Sequence, residues 1–334
     1  MVDRIASVGS AEVSYVLPIL CGRAGSDMDD LTGYLRWVST RAELVIVDGS
    51  QHEIFRRNHA LWGRLGTHIR PDEKDRCLNG KAWGVMTGVR RARRESVIIA
   101  DDDVRFDARA MDDIARSLRR ADLVRPQNYF DPLPWHAAWD TGRTLINRSL
   151  RSDHPGTVGV RRSTFLGAGG YDGDVLFENL EMVRTIEAVG GSVLDRPDVF
   201  VRRIPPTVER FWSQRVRQAY DDFSQPWRLA TFLTVLPAIV AAIGRRRARP
   251  VLLGAAAVIA LAERGRRRHG GAAVFPARCT WFAPAWVLER GTCAWVALWH
   301  RSRGGIRYAG NTITIAATPA RTLRAHGLGG RFPR

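Results

Sequence analysis

Through its first 225 positions the chain switches repeatedly between short apolar runs and stretches whose apolar residues fall at helical spacing. Val13 to Leu20 is an apolar run, and Asp29 to Thr40 follows with Leu31, Leu35 and Val38 spaced along one helix face behind the acidic cap residues Asp29 and Asp30. Glu43 to Ser50 predicts a strand that ends in a polar turn, Glu53 to about Leu65 a helix, and Thr67 to Arg70 a short strand. A helix over Lys81 to Arg93 then leads to the strong strand Ser96 to Ala100, which closes on Asp101, Asp102 and Asp103. Three strand-helix units in succession predict an α/β fold: a mainly parallel sheet with helices on its faces. Such sheets bind ligands at the carboxyl ends of their strands, where Asp48 and the three aspartates fall.

Beyond Asp103 the pattern loosens. A helix is expected over Asp107 to Ala121 and a short strand over Leu123 to Pro126. Gln127 to Pro155, rich in proline, aromatic and polar residues, reads as an irregular binding segment. Thr157 to Arg161 reads as a strand and Glu178 to Val189 as a helix. Ser192 to Leu194 and Val199 to Arg202 read as two closing strands. The last third carries two apolar segments, Leu229 to Ile243 with Pro237 inside it and Val251 to Ala262. Both are shorter than the roughly 20 residues that span a bilayer. The division expected is 1–225 catalytic, 226–318 basic, apolar and helical, and 319–334 a flexible tail.

Composition narrows this picture. In 334 residues, 45% hydrophobic and 25% charged side chains describe a folded core rather than a disordered chain, and a mean hydropathy of −0.20 excludes a protein made mostly of membrane spans. The net charge of +17 is unevenly placed: residues 1–225 hold 33 basic and 32 acidic groups, residues 226–334 hold 18 and 2. A basic segment seeks phosphate, on nucleic acid or on anionic lipid. Its clusters, Arg245 to Arg249 and Arg264 to Arg268, flank apolar segments, and Trp281, Trp286, Trp295 and Trp299 follow, the mixture favoured at lipid headgroups. Anionic membrane lipids are therefore the expected partner and nucleic acid is not; an ordinary buried helical subdomain is the plainer alternative. Only Lys74 and Lys81 are lysine, so part of the arginine excess is equally explained by base composition. Cys21, Cys77, Cys279 and Cys293 are too scattered for a zinc site or a disulfide framework, which suits a reducing compartment. The run ending at Cys21 lacks a cationic leader, since Asp3 and Arg4 cancel, and reads as a buried strand rather than a signal peptide.

Three adjacent carboxylates raise one another's pKa unless a cation offsets them. Mg²⁺ or Mn²⁺, held by one or two carboxylates and substrate phosphate oxygens, is the obvious one; a solvated acidic loop is the commoner alternative. Asp48 ends a strand, although Asp-Gly also suits a simple turn. Asn79-Gly-Lys81 opens a helix, where a cation and free backbone N–H groups can meet a diphosphate.

Taken in order, these segments resemble family 2 glycosyltransferases, enzymes of the GT-A nucleotide-diphospho-sugar transferase fold, and among them the membrane-associated, ceramide-glucosyltransferase-like group. Val45-Ile-Val-Asp-Gly-Ser50 is similar to the strand whose aspartate contacts the nucleotide base, which implies that role for Asp48. Asn79-Gly-Lys81 is similar to the segment beside the nucleotide, implying donor contact by Lys81. Ala100 to Arg105 resembles the DXD motif, implying donor and metal contact by Asp101 and Asp103 with Asp102 as the variable middle. Gly156 to Arg162 with Gly169-Gly-Tyr171 resembles the acceptor-side strand and turn. Gln214-Arg-Val-Arg-Gln218 resembles QxxRW, keeping Gln214 and Arg217 and replacing the tryptophan. One departure stands out: the family's catalytic acidic pair is Glu178-Asn179 here, and asparagine cannot accept the proton. Glu178 or Glu181, three apart on a predicted helix, is left to replace it. Trp135, His136, Trp139 and Arg161 are acceptor-side candidates, with packing or surface charge as their plainer fates. The resemblance implies an inverting, metal-dependent transfer of a sugar from a nucleotide diphosphate to a lipid or lipid-linked acceptor at the cytoplasmic face of the cell membrane. The alternative is a catalytically impaired nucleotide-sugar or lipid-headgroup binding protein of the same fold.

Overall fold

The computed structural model describes residues 12–21, 27–151, 156–308 and 310–327. The expectations for the leader and for the end of the tail, 328–334, lie outside the described residues. In chain order come β1 (Val13–Ile19), α1 (Asp27–Ser39), β2 (Glu43–Asp48), α2 (His52–Trp62), β3 (Thr67–Ile69), α3 (Gly80–Arg91), β4 (Ser96–Ile99), β5 (Val104–Arg105), α4 (Ala108–Leu118), β6 (Leu123–Phe130) and α5 (Trp135–Leu150). They are followed by β7 (Val158–Arg161), α6 (Arg162–Gly167), α7 (Glu178–Ala188), β8 (Val193–Arg203), α8 (Val208–Ser213), α9 (Arg215–Tyr220), α10 (Pro226–Gly244), α11 (Ala248–Arg267), α12 (Ala283–Ser302), the hairpin β9 (Ile306–Tyr308) and β10 (Asn311–Ile313), and α13 (Ala320–Gly327).

The described strands β1 to β8 form one sheet in the order β3-β2-β1-β4-β7-β6-β8-β5. Its first half is parallel: β1 pairs with β2 and β4, and β2 with β3. In the other half β7 runs antiparallel to β4 and β6, while β6 and β8 are parallel. The expected α/β fold is the one found, a mixed sheet flanked by helices. Tyr15 and Leu17 face a core shared with Leu35 and Val38 of α1 and Ile114 of α4. Val16 and Val47 face the other way, onto Val85 and Val89 of α3 and Ile186 of α7. Burial on both faces is why β1 and β2 read as unbroken apolar runs. Gly88 lets α3 lie close on β1, for a Cβ there would collide with Val16 Cγ1.

Two segments depart from the sequence pattern. Gln127 to Pro155 is not irregular throughout: β6 continues to Phe130, and a helix of 16 residues, α5, follows. That helix is buried nearly all round, so it lacks the one-sided periodicity that marks a surface helix. The guanidinium of Arg148, 1% exposed, joins it to its surroundings, donating to Gln127 Oε1 at 3.0 Å and to the carbonyls of Pro197 at 2.8 Å and Arg268 at 2.7 Å. The two expected closing strands are one, β8, whose register against β6 shifts between Pro126 and Gln127 so that Pro197 to Val199 bulge out.

The C-terminal helices pack on α5 through Leu145, Ile146, Phe232, Ala262, Phe275 and Trp286. Gly265 meets the Leu145 carbonyl so closely that no Cβ would fit between α11 and α5. The first apolar segment extends further than expected, as the 19 residues of α10, about 28 Å at 1.5 Å per residue. Among the described residues it is the helix long and apolar enough to cross a membrane by length and composition. Part of the expected flexible tail is also ordered: α13 packs beside α7, with Leu323 buried.

Candidate functional site

At the carboxyl ends of β1, β2 and β4 lies a cavity of about 1000 Å³. Its near wall is Pro18, Ile19, Val47 and Gly49 from the strand ends; Gly80 and Lys81 open α3 beside it, and Glu178 and Asn179 open α7. Gln214, Arg217 and Asp221 also line the cavity, as do Tyr308 and Asn311 of the β9–β10 hairpin. Asn79 fixes the start of α3: its Oδ1 accepts from the backbone N–H groups of Lys81 at 3.1 Å and Ala82 at 3.4 Å. Its Nδ2 donates to the Val175 carbonyl at 3.1 Å, which fastens the segment leading to α7.

Lys81 is the centre of the site. Its Nζ lies 2.6 Å from Asp101 Oδ1 and 2.9 Å from Glu178 Oε1. Burial by itself would lower the pKa of this ammonium, but the two carboxylates hold it above the usual lysine range. Asp101 is subject to the converse pair: burial works to raise its pKa, and Lys81 and Arg203 bring it below the ordinary carboxylate value. β5 pairs antiparallel with β8, setting Arg203 opposite Val104. The Arg203 guanidinium then reaches Asp103 Oδ2 at 2.9 Å and Asp101 Oδ2 at 3.8 Å. Asp102, between them, has its pKa raised by burial and by its two neighbours.

Among the described residues no group of three or more histidine, cysteine or acidic side chains is arranged to hold a metal. Two observations nevertheless fit a hard divalent cation. Asp103 Oδ1 is buried with no hydrogen-bond partner among the described residues, and the adjoining donors are carboxylate oxygens, the ligands such a cation takes. Gly156 keeps this corner open, since a Cβ there would strike Asp101 Oδ2.

The other sequence candidates divide by position. Gln214 and Arg217 line the cavity, the latter's guanidinium lying over the Tyr308 ring at 5.1 Å. Asp48 is 0% exposed and sits behind the wall. It accepts from Ser50 N at 2.9 Å and Asn58 Nδ2 at 2.8 Å, and it meets His68 Nε2 at 3.3 Å, so its carboxylate is spent on protein partners. Glu181 likewise turns away from the cavity, its Oε2 accepting from Thr318 N at 2.7 Å. Trp135, His136 and Trp139 lie on α5, not in a loop. They pack with Phe211 and Trp212, and His136 Nε2 sits 2.8 Å from the Pro206 carbonyl. Arg161 is at the wrong end of the sheet for acceptor contact: the antiparallel register pairs it with Ser96, at the start of β4, whereas the aspartates follow its end.

Three cavity residues went unsuspected in the sequence. Arg203 ends β8, one residue beyond the expected closing strand Val199 to Arg202. Asp140, inside the segment taken as irregular, pairs with Arg143 at 3.2 Å and Arg215 at 3.1 Å. Asp221 follows α9, and no pattern marked it.

No family model matches the sequence, and no curated protein matches it. Among solved structures, the mannosyltransferase PcManGT from Pyrobaculum calidifontis, in complex with GDP-Man and Mn²⁺, is similar at 16% identity and a TM-score of 0.46, over 95% of this chain and 79% of that one. A mycobacterial protein is similar at 14% identity and a TM-score of 0.42, over 60% of this chain and 69% of that one.

Asp48 provides a test of local stability. Burial raises its pKa, but hydrogen bonds from His68, Ser50 and Asn58 outweigh that and lower it to about 2. A carboxyl depressed on folding contributes stability above its unfolded pKa, about 3.9, and loses it as pH falls through its folded pKa. Chemical denaturation of Asp48→Asn should therefore show lower stability than wild type at pH 7, with the difference shrinking between about pH 4 and pH 2. A constant difference across that range would remove Asp48 as the buried anchor.

Proposed function

We propose that this chain is a glycosyltransferase that moves a sugar from a nucleotide-diphosphate donor to a hydrophobic or lipid-linked acceptor hydroxyl at a membrane face. The observation that carries the reading is the Lys81 ammonium, held between Asp101 and Glu178 where three parallel strands end and α3 begins. A diphosphate beside this helix start meets a fixed cation and the positive end of the helix. Nine basic and eight acidic side chains line the cavity. Most of the cations near the aspartates are therefore already matched by carboxylates, and a diphosphate needs added positive charge. Asp101 and Asp103 would hold Mg²⁺ or Mn²⁺, which when bound offsets the charge of the departing diphosphate.

The chain's own residues supply the rest. Lys81 orients the phosphates, Arg203 pairs with Asp103 and helps to keep Asp101 ionised, and Gln214 and Arg217 line the cavity. In a single inverting displacement the acceptor hydroxyl must lose its proton to a nearby base. Glu178 is the expected site carboxylate that faces the cavity; Glu181, buried against Thr318, does not.

The membrane part rests on surface character. Ile243 is 69% exposed, Leu253 70% and Trp281 70%, close in sequence to the arginine clusters. Apolar side chains interleaved with arginines suit the headgroup layer of an anionic membrane, reached from the cytoplasmic side.

Screening the purified protein against UDP-, GDP- and dTDP-sugars with Mn²⁺ for release of nucleoside diphosphate tests the activity. Binding without release would favour the nucleotide-sugar binding protein that Asn179 suggests. Two further outcomes are expected. In calorimetry, Asp101→Ala and Asp103→Ala should abolish the divalent-dependent part of nucleoside-diphosphate binding, while Asp102→Ala is milder. Equal affinities in all three would sink the metal assignment. With vesicles rich in phosphatidylglycerol, the protein should co-sediment and be retained in large part through a wash at about 1 M salt, which screens the arginines but not the apolar contacts. Full release by salt would leave only a peripheral attachment.

A further inference from the structure

The transfer proposed above needs a base, and several of the cavity's carboxylates are already paired with cations. Glu178 Oε1 is 2.9 Å from Lys81 Nζ and shares it with Asp101. That carboxylate is therefore already engaged by a cation that a second carboxylate also holds. Asp101 is bound by the same lysine and by Arg203. Asp222 is buried between Arg290 Nη1 at 3.3 Å and Arg228 Nε at 3.4 Å.

Asp221 differs from all of these. It lies in the turn directly after α9 and lines the same cavity as Glu178, partly exposed to it. Its Oδ1 is buried without a hydrogen-bond partner among the described residues. Buried polar atoms are rarely left unpaired, and a residue that lines a cavity while one of its carboxylate oxygens is buried without a partner calls for a functional reason. The turn that presents it is held firmly: Tyr220 Oη donates to the Thr314 carbonyl at 2.8 Å, and Ser224 Oγ to the Asp221 carbonyl at 2.6 Å.

We propose that Asp221 is the catalytic base that takes the proton from the acceptor hydroxyl. This rests on the glycosyl-transfer reading and deepens it. As the acceptor oxygen bonds to the anomeric carbon, the bond from that carbon to the diphosphate oxygen breaks and its electron pair leaves with the diphosphate. The hydroxyl proton passes to the Asp221 carboxylate and from there to water. The surroundings tune the group for this. Burial pushes its carboxyl up to about 7; Arg217 of α9 and Arg290 of α12 work against that, and Glu178 of α7 and Asp222 add to it. Arg228 of α10 acts at one remove, through Asp222, and Tyr308 of β9 lies over Arg217. A base whose pKa lies near the working pH combines a sizeable ionised fraction with enough basicity.

The sign of the pH dependence follows. Turnover should rise with pH as Asp221 ionises around 7 and then level off. A carboxyl raised on folding makes the folded state less stable as pH climbs from its unfolded pKa towards its folded one, so Asp221→Asn should be at least as stable as wild type at pH 7. The test uses the full chain with a panel of UDP-, GDP- and dTDP-sugars and Mn²⁺. It follows nucleoside-diphosphate release against pH, with calorimetry of UDP and GDP alongside. Asp221→Asn should keep the melting temperature and bind nucleotide within about twofold of wild type. It should lose about 100-fold or more in kcat, together with the limb near pH 7. Asp221→Glu should regain part of the rate with a displaced limb. An Asp221→Asn variant that keeps the wild-type rate and limb overturns the proposal, as does a wild type that binds nucleotide without turning any sugar over. Absence of nucleotide binding by wild type would instead overturn the glycosyl-transfer reading itself.

Discussion

The site depends on one buried ammonium shared by two carboxylates. Asp101, Asp102, Asp103 and Glu178 gather in one cleft, and carboxylates crowded out of water repel one another and tend to protonate. Lys81 and Arg203 reverse that for Asp101; Lys81 also pairs with Glu178, and Arg203 with Asp103. The lysine also sets relative positions, because it and its two partners sit on separate elements: it opens α3, Asp101 follows β4 and Glu178 opens α7. Asn79 supplies the mechanical half of the constraint, capping α3 with one end of its amide and holding the Val175 carbonyl, before α7, with the other.

The same cleft is completed from the far end of the chain. The β9–β10 hairpin returns after α12 to place Tyr308 and Asn311 at the cavity, and Asn311 Nδ2 donates to the Leu78 carbonyl at 2.8 Å. Glu181, expected as a base, works here as an anchor: its carboxylate receives the Thr318 N–H and ties the approach to α13 onto α7. Arg290 of α12 reaches the turn holding Asp221 and Asp222, so the helices that carry the basic, apolar surface also shape the cavity. The boundary at residue 225 marks a change of composition, not a separation of contacts.

How much of this was legible in the sequence follows from what each residue senses. β1, β2 and β4 were plain because strands buried on both faces are continuously apolar, and the starts of α3 and α7 were plain from their polar openings. α5 was hidden because a helix surrounded by protein on nearly all sides has no polar face to set its period, and its aromatics mimic a loop. Arg161 was misplaced because nothing local reveals that β7 runs antiparallel to β4. Asp48 was found at the strand end where it was expected, yet its partners Asn58 and His68 come from α2 and β3, and only the folded chain shows that they occupy it. Asp221 was invisible for the same reason: Asp221 and Asp222 are alike in sequence, and only the folded chain shows that the arginines of α10 and α12 form their ion pairs with Asp222.

The central claim is that the cleft built around Lys81 is a donor site for a nucleotide diphosphate and a divalent ion. Anomalous diffraction from crystals grown with Mn²⁺ and GDP or UDP tests it most directly. The account predicts a manganese peak at the carboxylates of Asp101 and Asp103, with the diphosphate on the ion and Lys81 Nζ within hydrogen-bond reach of a phosphate oxygen. A nucleotide bound elsewhere, or a diphosphate in the cleft with no manganese at those carboxylates, would contradict it.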